Sequence, residues 1–379
     1  MIQTPGLLLT LGAFALMLGP LVFFHELGHY LAGRWFGIKA DVFSIGFGRE
    51  LAGWTDRRGT RWKLSALPLG GYVKFAGDMN PASQPDPAWL ELPPAERART
   101  FQAKPLWQRA IVVAAGPIAN FLLAFLILLG FAMAFGQDRT PTLIGSVMKG
   151  SAAAKAGLKP GDRITALGGR PVDTFEDMIF YIQGRAGEAV TVDIVRAGAA
   201  TAVQATIGRE HVKDRFGNEG DIGLLGVGPV APVLQRVGII EAPGVAARKV
   251  GDLVRMTAEN LTQLISGQRS IKEMGGAIRI AKISGEQMSL GWVNFVGLVA
   301  LISINLGFIN LLPVPMLDGG HLFFYAIEAV RRRPVTPQIQ EWAFRGGLAA
   351  ILALTLVVTF NDLGAIGLWK QVSGLLGPG

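Results

Sequence analysis

Cysteine is absent from the 379 residues, which removes disulfides and thiolate metal ligands from consideration. Charge is scarce as well. Asp, Glu, Lys and Arg make up 17% of the chain against 50% hydrophobic residues, a balance too apolar for an ordinary soluble protein. Histidine occurs only four times, so imidazole chemistry has to come from His25, His29, His211 or His321. The net charge of +8 could suggest nucleic acid, but the basic residues are not gathered into one aromatic-studded face, and no nucleic-acid partner is expected. Membrane topology accounts for them better.

What the chain does have is long apolar runs. Four stretches can cross a bilayer, which takes about 20 largely apolar residues. They are Leu7 to Phe24 and onward, Ile111 to Phe135, Trp292 to Leu312, and Leu348 to Phe360 with an apolar continuation to Trp369. Met1 to Gly6 carries no Lys or Arg, so the first stretch reads as a retained span and not a signal peptide. Arg34, Lys39, Arg49, Arg57, Arg58, Arg61 and Lys63 follow span 1, Lys104 and Arg109 precede span 2, and Arg331, Arg332, Arg333 and Arg345 follow span 3. The positive-inside rule puts both basic segments in the cytoplasm, and the long section between spans 2 and 3 outside with both chain ends.

Span 1 ends on Phe23-Phe24-His25-Glu26-Leu27-Gly28-His29. Residues four apart on a helix stack, so His25 and His29 offer imidazoles to one point with Glu26 beside them. In H-E-x-x-H two histidines hold zinc and the carboxylate serves as base toward the water that attacks a peptide bond. Each ionisable group in a span costs about 2.5 to 3.5 kcal/mol on insertion scales, so three together ask for a function. A catalytic zinc takes three protein ligands. Spans 1 and 3 run in the same direction, which brings Asn310-Leu311-Leu312-Pro313-Val314-Pro315-Met316-Leu317-Asp318-Gly319-Gly320-His321 to the depth of the imidazoles.

Asp318 is expected as third ligand, on an irregular segment that Pro313, Pro315 and Gly319-Gly320 allow to bend toward span 1. His321 is the alternative, otherwise an interfacial side chain opening a short helix from Leu322 to Val330. His211 is expected outside. Asn310 fits a bond to a neighbouring span or to a bound peptide.

The pairing of His25 through His29 with Asn310 through Leu322 resembles the site-2 protease family of intramembrane metalloproteases, most closely its regulator-of-sigma-E branch. Gly116-Pro117-Ile118-Ala119-Asn120-Phe121, Leu67 to Phe75, and Gly275 to Gly285 add to the likeness, which covers nearly the whole chain. The resemblance implies one Zn2+ on His25, His29 and Asp318, Glu26 as catalytic acid/base, and Asn310 as a substrate-holding residue. It further implies cleavage of transmembrane segments of single-span proteins in the bacterial inner membrane, either an anti-sigma factor after a first cut or remnant signal peptides. Two rivals use the same residues. One is a quality-control zinc protease acting at the membrane surface with a third ligand from elsewhere. The other is a non-enzymatic PDZ scaffold, which would have no need of a carboxylate next to the first ligand.

The expected fold is a polytopic α-helical membrane protein with four transmembrane helices, a membrane-associated β-loop and one inserted α+β PDZ domain. Its layout is span 1 in 1–38, β-loop and linker in 39–108, span 2 in 109–137, PDZ domain in 138–210, connector in 211–290, span 3 in 291–330, and a basic loop with span 4 in 331–379. Val42 to Gly48 and Gly71 to Phe75 are β-prone, and Asp56-Arg57-Arg58-Gly59 reads as a hairpin turn. The resemblance implies a substrate-pairing β-loop here. Met79 to Pro94 reads as a loop.

Leu143 to Val147, Ser151 to Gly157, a Pro160-Gly161 turn, a helix from Thr174 to Ile182 and a strand from Val190 to Val195 resemble a PDZ domain, which implies an extended peptide or C-terminus as ligand. Longer members of the branch carry two such domains, and this chain has room for one. His211 to Leu234 has no assignment. From Val245 to Ile265 an apolar stripe opposes Lys249, Asp252, Arg255 and Glu259, as for a helix lying on the membrane or on the PDZ domain.

Overall fold

The computed structural model describes residues 6–78, 87–213, 219–267 and 275–365. In chain order its elements are α1 (Leu7–Trp35), β1 (Ala40–Thr55), β2 (Arg61–Phe75), a 3-10 turn (Pro87–Glu91), α2 (Pro94–Arg97) and α3 (Leu106–Phe135). Then come β3 (Gln137–Asp138), β4 (Ile144–Val147), α4 (Ala152–Lys155), β5 (Arg163–Leu167), β6 (Arg170–Pro171), α5 (Phe175–Gln183), β7 (Ala189–Arg196) and β8 (Ala199–Thr206). The remainder is β9 (Gly208–Lys213), β10 (Glu219–Leu224), β11 (Val227–Pro229), β12 (Leu234–Gln235), α6 (Ala242–Ile265), α7 (Ala277–Ser289), α8 (Trp292–Asn310), α9 (Asp318–Arg331) and α10 (Pro337–Ala365). They sort into two compact units. One comprises Met1–Leu128, Val250–Thr257 and Gly275–Asp362, the other Leu129–Lys249 with Ala258–Met274 and Leu363–Gly379.

In the first unit, α1, α3, α8 and α10 are long and apolar enough to span a bilayer. Small residues let them approach, as helix packing in lipid requires. A Cβ on Gly28 of α1 would strike the Ala115 carbonyl of α3, and one on Gly307 of α8 would lie 3.0 Å from the Pro117 carbonyl. Ser303 donates to the Asn120 carbonyl at 2.8 Å, tying α8 to α3. Val250, Leu253 and Val254, the middle turns of α6, pack against Phe121, Ala124, Ala300 and Ile304. That stripe therefore meets transmembrane helices, a partner its periodicity could not identify.

Two helices start earlier than expected, and a third is additional. The helix that carries span 4 begins at Pro337, ahead of Leu348, since Pro fits the first turn of a helix and the charged residues before Leu348 continue the same spiral; Trp369 lies outside the described residues. Helix α9 begins at Asp318 itself and not at Leu322, so the irregular segment is shorter than the prolines suggest. Helix α7 was not anticipated. It packs along α1, with Ile280 and Met288 beside Ala13 and Met17, and its amino end is capped from α10 by Asp362, whose Oδ2 accepts from the Gly276 and Arg279 amides at 3.0 and 3.2 Å.

The expected hairpin is present. Thr55 pairs with Arg61 across a turn in which Asp56 Oδ1 accepts from the Arg58 and Thr60 amides. The strands are long enough to pair twice. Residues 40–45 of β1 pair with 71–75 of β2, Ala40 against Phe75 and Ile45 against Gly71, and Val42 to Ile45 also face Arg61 to Leu64. Gly71 to Phe75 therefore forms one edge of the sheet, and among the described residues no further strand covers it. Of the expected 79–94 loop, 79–86 lie outside the described residues, and the rest forms the 3-10 turn and opens α2.

The second unit has a four-stranded sheet in the order β6-β5-β7-β8 and a core of Ile164, Leu167, Met178, Val192, Ile194 and their neighbours. Thr174 caps α5 in a reciprocal capping box with Asp177. The boundary at 210 falls too early. β11 pairs with β4, and Leu225 is buried in the same core as Ile144 and Ile207, so much of the unassigned 211–234 stretch completes this unit. Its strands are short and glycine-rich, which hid their alternation. Arg170 and Arg185 both bind Glu259 at 2.8 and 3.0 Å, and Gln263 donates to the Gly184 carbonyl, which fastens the later turns of α6 here.

Candidate metal centre

His25 and His29 lie one turn apart on α1, and Asp318 opens α9 after the turn at Leu311–Leu317. That turn is tight. A Cβ on Gly319 or Gly320 would strike the Leu311, Leu312 or Val314 carbonyls, and Met316 takes a left-handed backbone at φ 82° just before the carboxylate. The outcome is convergence of three ligand atoms. His25 Nε2 is 3.1 Å and His29 Nε2 3.5 Å from Asp318 Oδ2, and the two Nε2 atoms are 3.2 Å apart.

These separations bear on what the site holds. Tetrahedral zinc with bonds of about 2.0–2.1 Å spaces its ligands roughly 3.3–3.4 Å apart. The three observed edges bracket that value. Buried Asp318 Oδ2 has no neighbour to satisfy it apart from the two imidazole edges, an expensive arrangement unless those edges are protonated or a cation sits among the three. Ring protons lead to the same conclusion. His29 Nδ1 lies 2.9 Å from the Val112 carbonyl, which can only accept, so this nitrogen carries a proton and in the neutral ring Nε2 keeps its lone pair. The residues therefore fit a zinc ion.

His25 Nδ1 faces the Asn120 amide at 3.1 Å. For His25 Nε2 to keep its lone pair as well, Nδ1 must donate, and the amide must turn its oxygen to it. That orientation also gives a partner to Asn120 Oδ1, which is otherwise buried without one. The sequence shows Asn120 only within Gly116 to Phe121 and gives it no role by itself. An amide in an apolar span was the available signal.

Space around the histidines comes from glycines of α3 and β2. Gly116 backs directly onto the His29 ring. Gly71 lets the sheet edge pass α1, where a Cβ would lie 2.7 Å from Val22 Cγ1 and 2.9 Å from Glu26 Cγ. Val73 of the same edge lines the cavity with Glu26. The ligands and Glu26 line a cavity of about 410 Å³, together with Gly71, Tyr72, Asn310 and His321. His321, the alternative ligand or else an interfacial side chain from the sequence, forms part of the cavity wall. His211 belongs to β9 of the other unit.

The peptidase family M50 model matches residues 13–354, which include both histidines, Glu26 and Asp318. This chain belongs to peptidase family M50. Among the described residues four apolar helices are long enough to cross a membrane, which makes it a multi-pass member. It is 45% identical over 359 residues to "Putative zinc metalloprotease R01501" of Rhizobium meliloti (strain 1021), spanning 93% of this chain and 96% of that one. It is 37% identical to metalloprotease MmpA of Caulobacter vibrioides, over 98% of this chain and 99% of the other. Among solved structures, the PDZ domain of the SdrC-like protein of Listeria monocytogenes aligns at 22% identity and a TM-score of 0.19, covering 24% of this chain and 88% of that domain. The M50 zinc metalloprotease thus carries His25, His29 and Asp318 as a group fit for its metal.

Proposed function

We propose that this M50 protease hydrolyses peptide bonds within transmembrane segments of single-span proteins. His25, His29 and Asp318 hold the zinc, which when bound supplies the Lewis acidity that makes water a nucleophile near neutral pH. Glu26 takes the proton of the attacking water and returns it to the leaving amine. A peptide bond in a helix is locked in its own hydrogen bonds, so the substrate must be locally extended before it is cut. Gly71 to Phe75, an edge without a further strand beside it, offers main-chain pairing next to Glu26, and Asn310 holds the extended chain across the cavity.

The observation that carries this reading is the adjacency of the edge strand to Glu26 inside a helical membrane unit. The clustering of Arg34 to Lys63 and Arg331 to Arg345 favours a cytoplasmic β-loop and an external β-rich unit. The bacterial inner membrane, and a second cut on an anti-sigma factor in the manner of the regulator-of-sigma-E branch, follow from the sequence resemblance. The β-rich unit would take an extended peptide or a C-terminus as its ligand.

The test compares purified wild-type and Glu26→Gln protein for zinc content and for cleavage of a panel of single-span substrates. Zinc retained with cleavage abolished is expected. Cleavage of soluble unstructured peptides alone, with every span left intact, would sink the reading.

A further inference from the structure

An imidazole that the reaction outlined so far does not use lines the same cavity. His321 sits one turn beyond Asp318 on α9, and i,i+3 spacing puts both on one helix face. Its ring is half-buried and lies 5.0 Å from that of Phe344 and 6.5 Å from that of Tyr325, and among the described residues neither nitrogen makes a hydrogen bond. An imidazole on the cavity wall can turn a ring N–H toward a group that enters the cavity.

Beside the Lewis acidity of a bound zinc, a hydrogen-bond donor aimed at the oxygen that gains negative charge as the carbonyl becomes tetrahedral adds to the rate. The cavity has few to give. The Nδ1 protons of His25 and His29 are committed to Asn120 and Val112, Asp318 can only accept, and Glu26 is occupied with proton transfer. Tyr72 is stacked on Phe47 under Lys63. Asn310 is already assigned to the substrate main chain.

We propose that His321 is a further catalytic residue, its ring N–H donating to the developing oxyanion of the scissile carbonyl. The inference rests on the site being a peptide hydrolase and does not depend on which membrane protein is cut. No atom is transferred to or from His321; the hydrogen bond strengthens as charge grows and relaxes when the amine leaves.

His321→Phe keeps an aromatic ring against Phe344 and removes the donor, while His321→Gln keeps a donor. In detergent, zinc per chain, thermal midpoint, kcat and KM would be measured for each variant, with binding of a phosphinic peptide that mimics the tetrahedral centre. Binding of uncleaved substrate would be measured on the Glu26→Gln background. The expected result for His321→Phe is unchanged zinc, midpoint and KM, with kcat down about 100-fold, the scale for loss of one oxyanion donor. Phosphinic-peptide affinity should fall with kcat while substrate affinity holds, and His321→Gln should recover part of both.

A kcat within about three-fold of wild type in His321→Phe, equal losses in Phe and Gln, or phosphinic binding unmoved would overturn the proposal. Loss of zinc or stability in both variants would also overturn it, by making His321 a packing residue. If wild type cuts no membrane span, the proposed substrate class fails, and the phosphinic-peptide arm still decides the role of His321.

Discussion

Gly116 of α3 lies against the imidazole of His29, so close that any Cβ there would fall on the ring. This contact explains why a glycine stands in the middle of a membrane span beside Pro117, and it makes the metal centre depend on a residue that ligates nothing. Gly116→Ala should push His29 off its Val112 bond and lower zinc occupancy by about ten-fold or more. Gly130→Ala, on the same helix with open space around its Cα, should be neutral. Zinc per chain, measured at equal expression, decides it; full occupancy in Gly116→Ala contradicts the packing argument.

Asn120 orients His25 from behind the metal position. Outer partners of ligating histidines are worth about 10–100-fold in metal affinity or activity. Asn120→Ala should show a loss of that size in zinc competition with a chelator, and Asn120→Asp, which keeps an acceptor for Nδ1–H, should retain more than Ala does. Equal losses in both would mean that the amide serves packing and not tautomer control.

Gly71 separates the roles of metal and strand. A larger residue there meets Ser44, Val22 and Glu26, none of which binds the metal. Gly71→Val is expected to retain zinc while cleavage falls by at least ten-fold. Gly19→Ala on α1, whose surroundings are open, should cleave normally. Cleavage by Gly71→Val at the wild-type rate would remove the sheet edge from the mechanism.

The β-rich unit carries a pH-dependent contribution of its own. Arg196 bonds both oxygens of buried Asp162, at 2.7 and 2.8 Å, and with the Lys159 amide holds the carboxyl below the usual Asp range despite its burial. A folded value below the roughly 3.9 of an unfolded Asp stabilises the fold fully above that pH and is lost as pH falls through the folded value. Asp162→Asn should therefore weaken hydrogen-exchange protection of β5 and β7 at pH 7, and show a smaller further loss than wild type on acidification to pH 3. Parallel acid curves for the two proteins would refute this.

Much of the site was legible because its chemistry leaves local traces. His25 and His29 show their shared face through four-residue spacing with Glu26 beside them, and Asp318 stands out as a carboxylate beside prolines in an apolar run. The spans, the Asp56 turn and the capped helix at Thr174 follow from length, turn chemistry and capping, all properties of neighbours in the chain. The closing strands of the β-rich unit were missed because short glycine-rich strands carry too little alternation to read. Helix α7 was missed because its stabilising cap, Asp362, is 86 residues away from Gly276.

The residue order by itself determined which groups could bind a metal, which segments must leave water, and which of them bend. Tertiary structure alone decided that Asn120 and Val112 set the histidine tautomers, that Gly71 brings a sheet edge to Glu26, and that His321 lines the cavity. The physical reason is range. Periodicity and propensity act over a few residues, whereas lone pairs are oriented and a cavity is enclosed by contacts between helices that the chain itself separates by about a hundred residues or more.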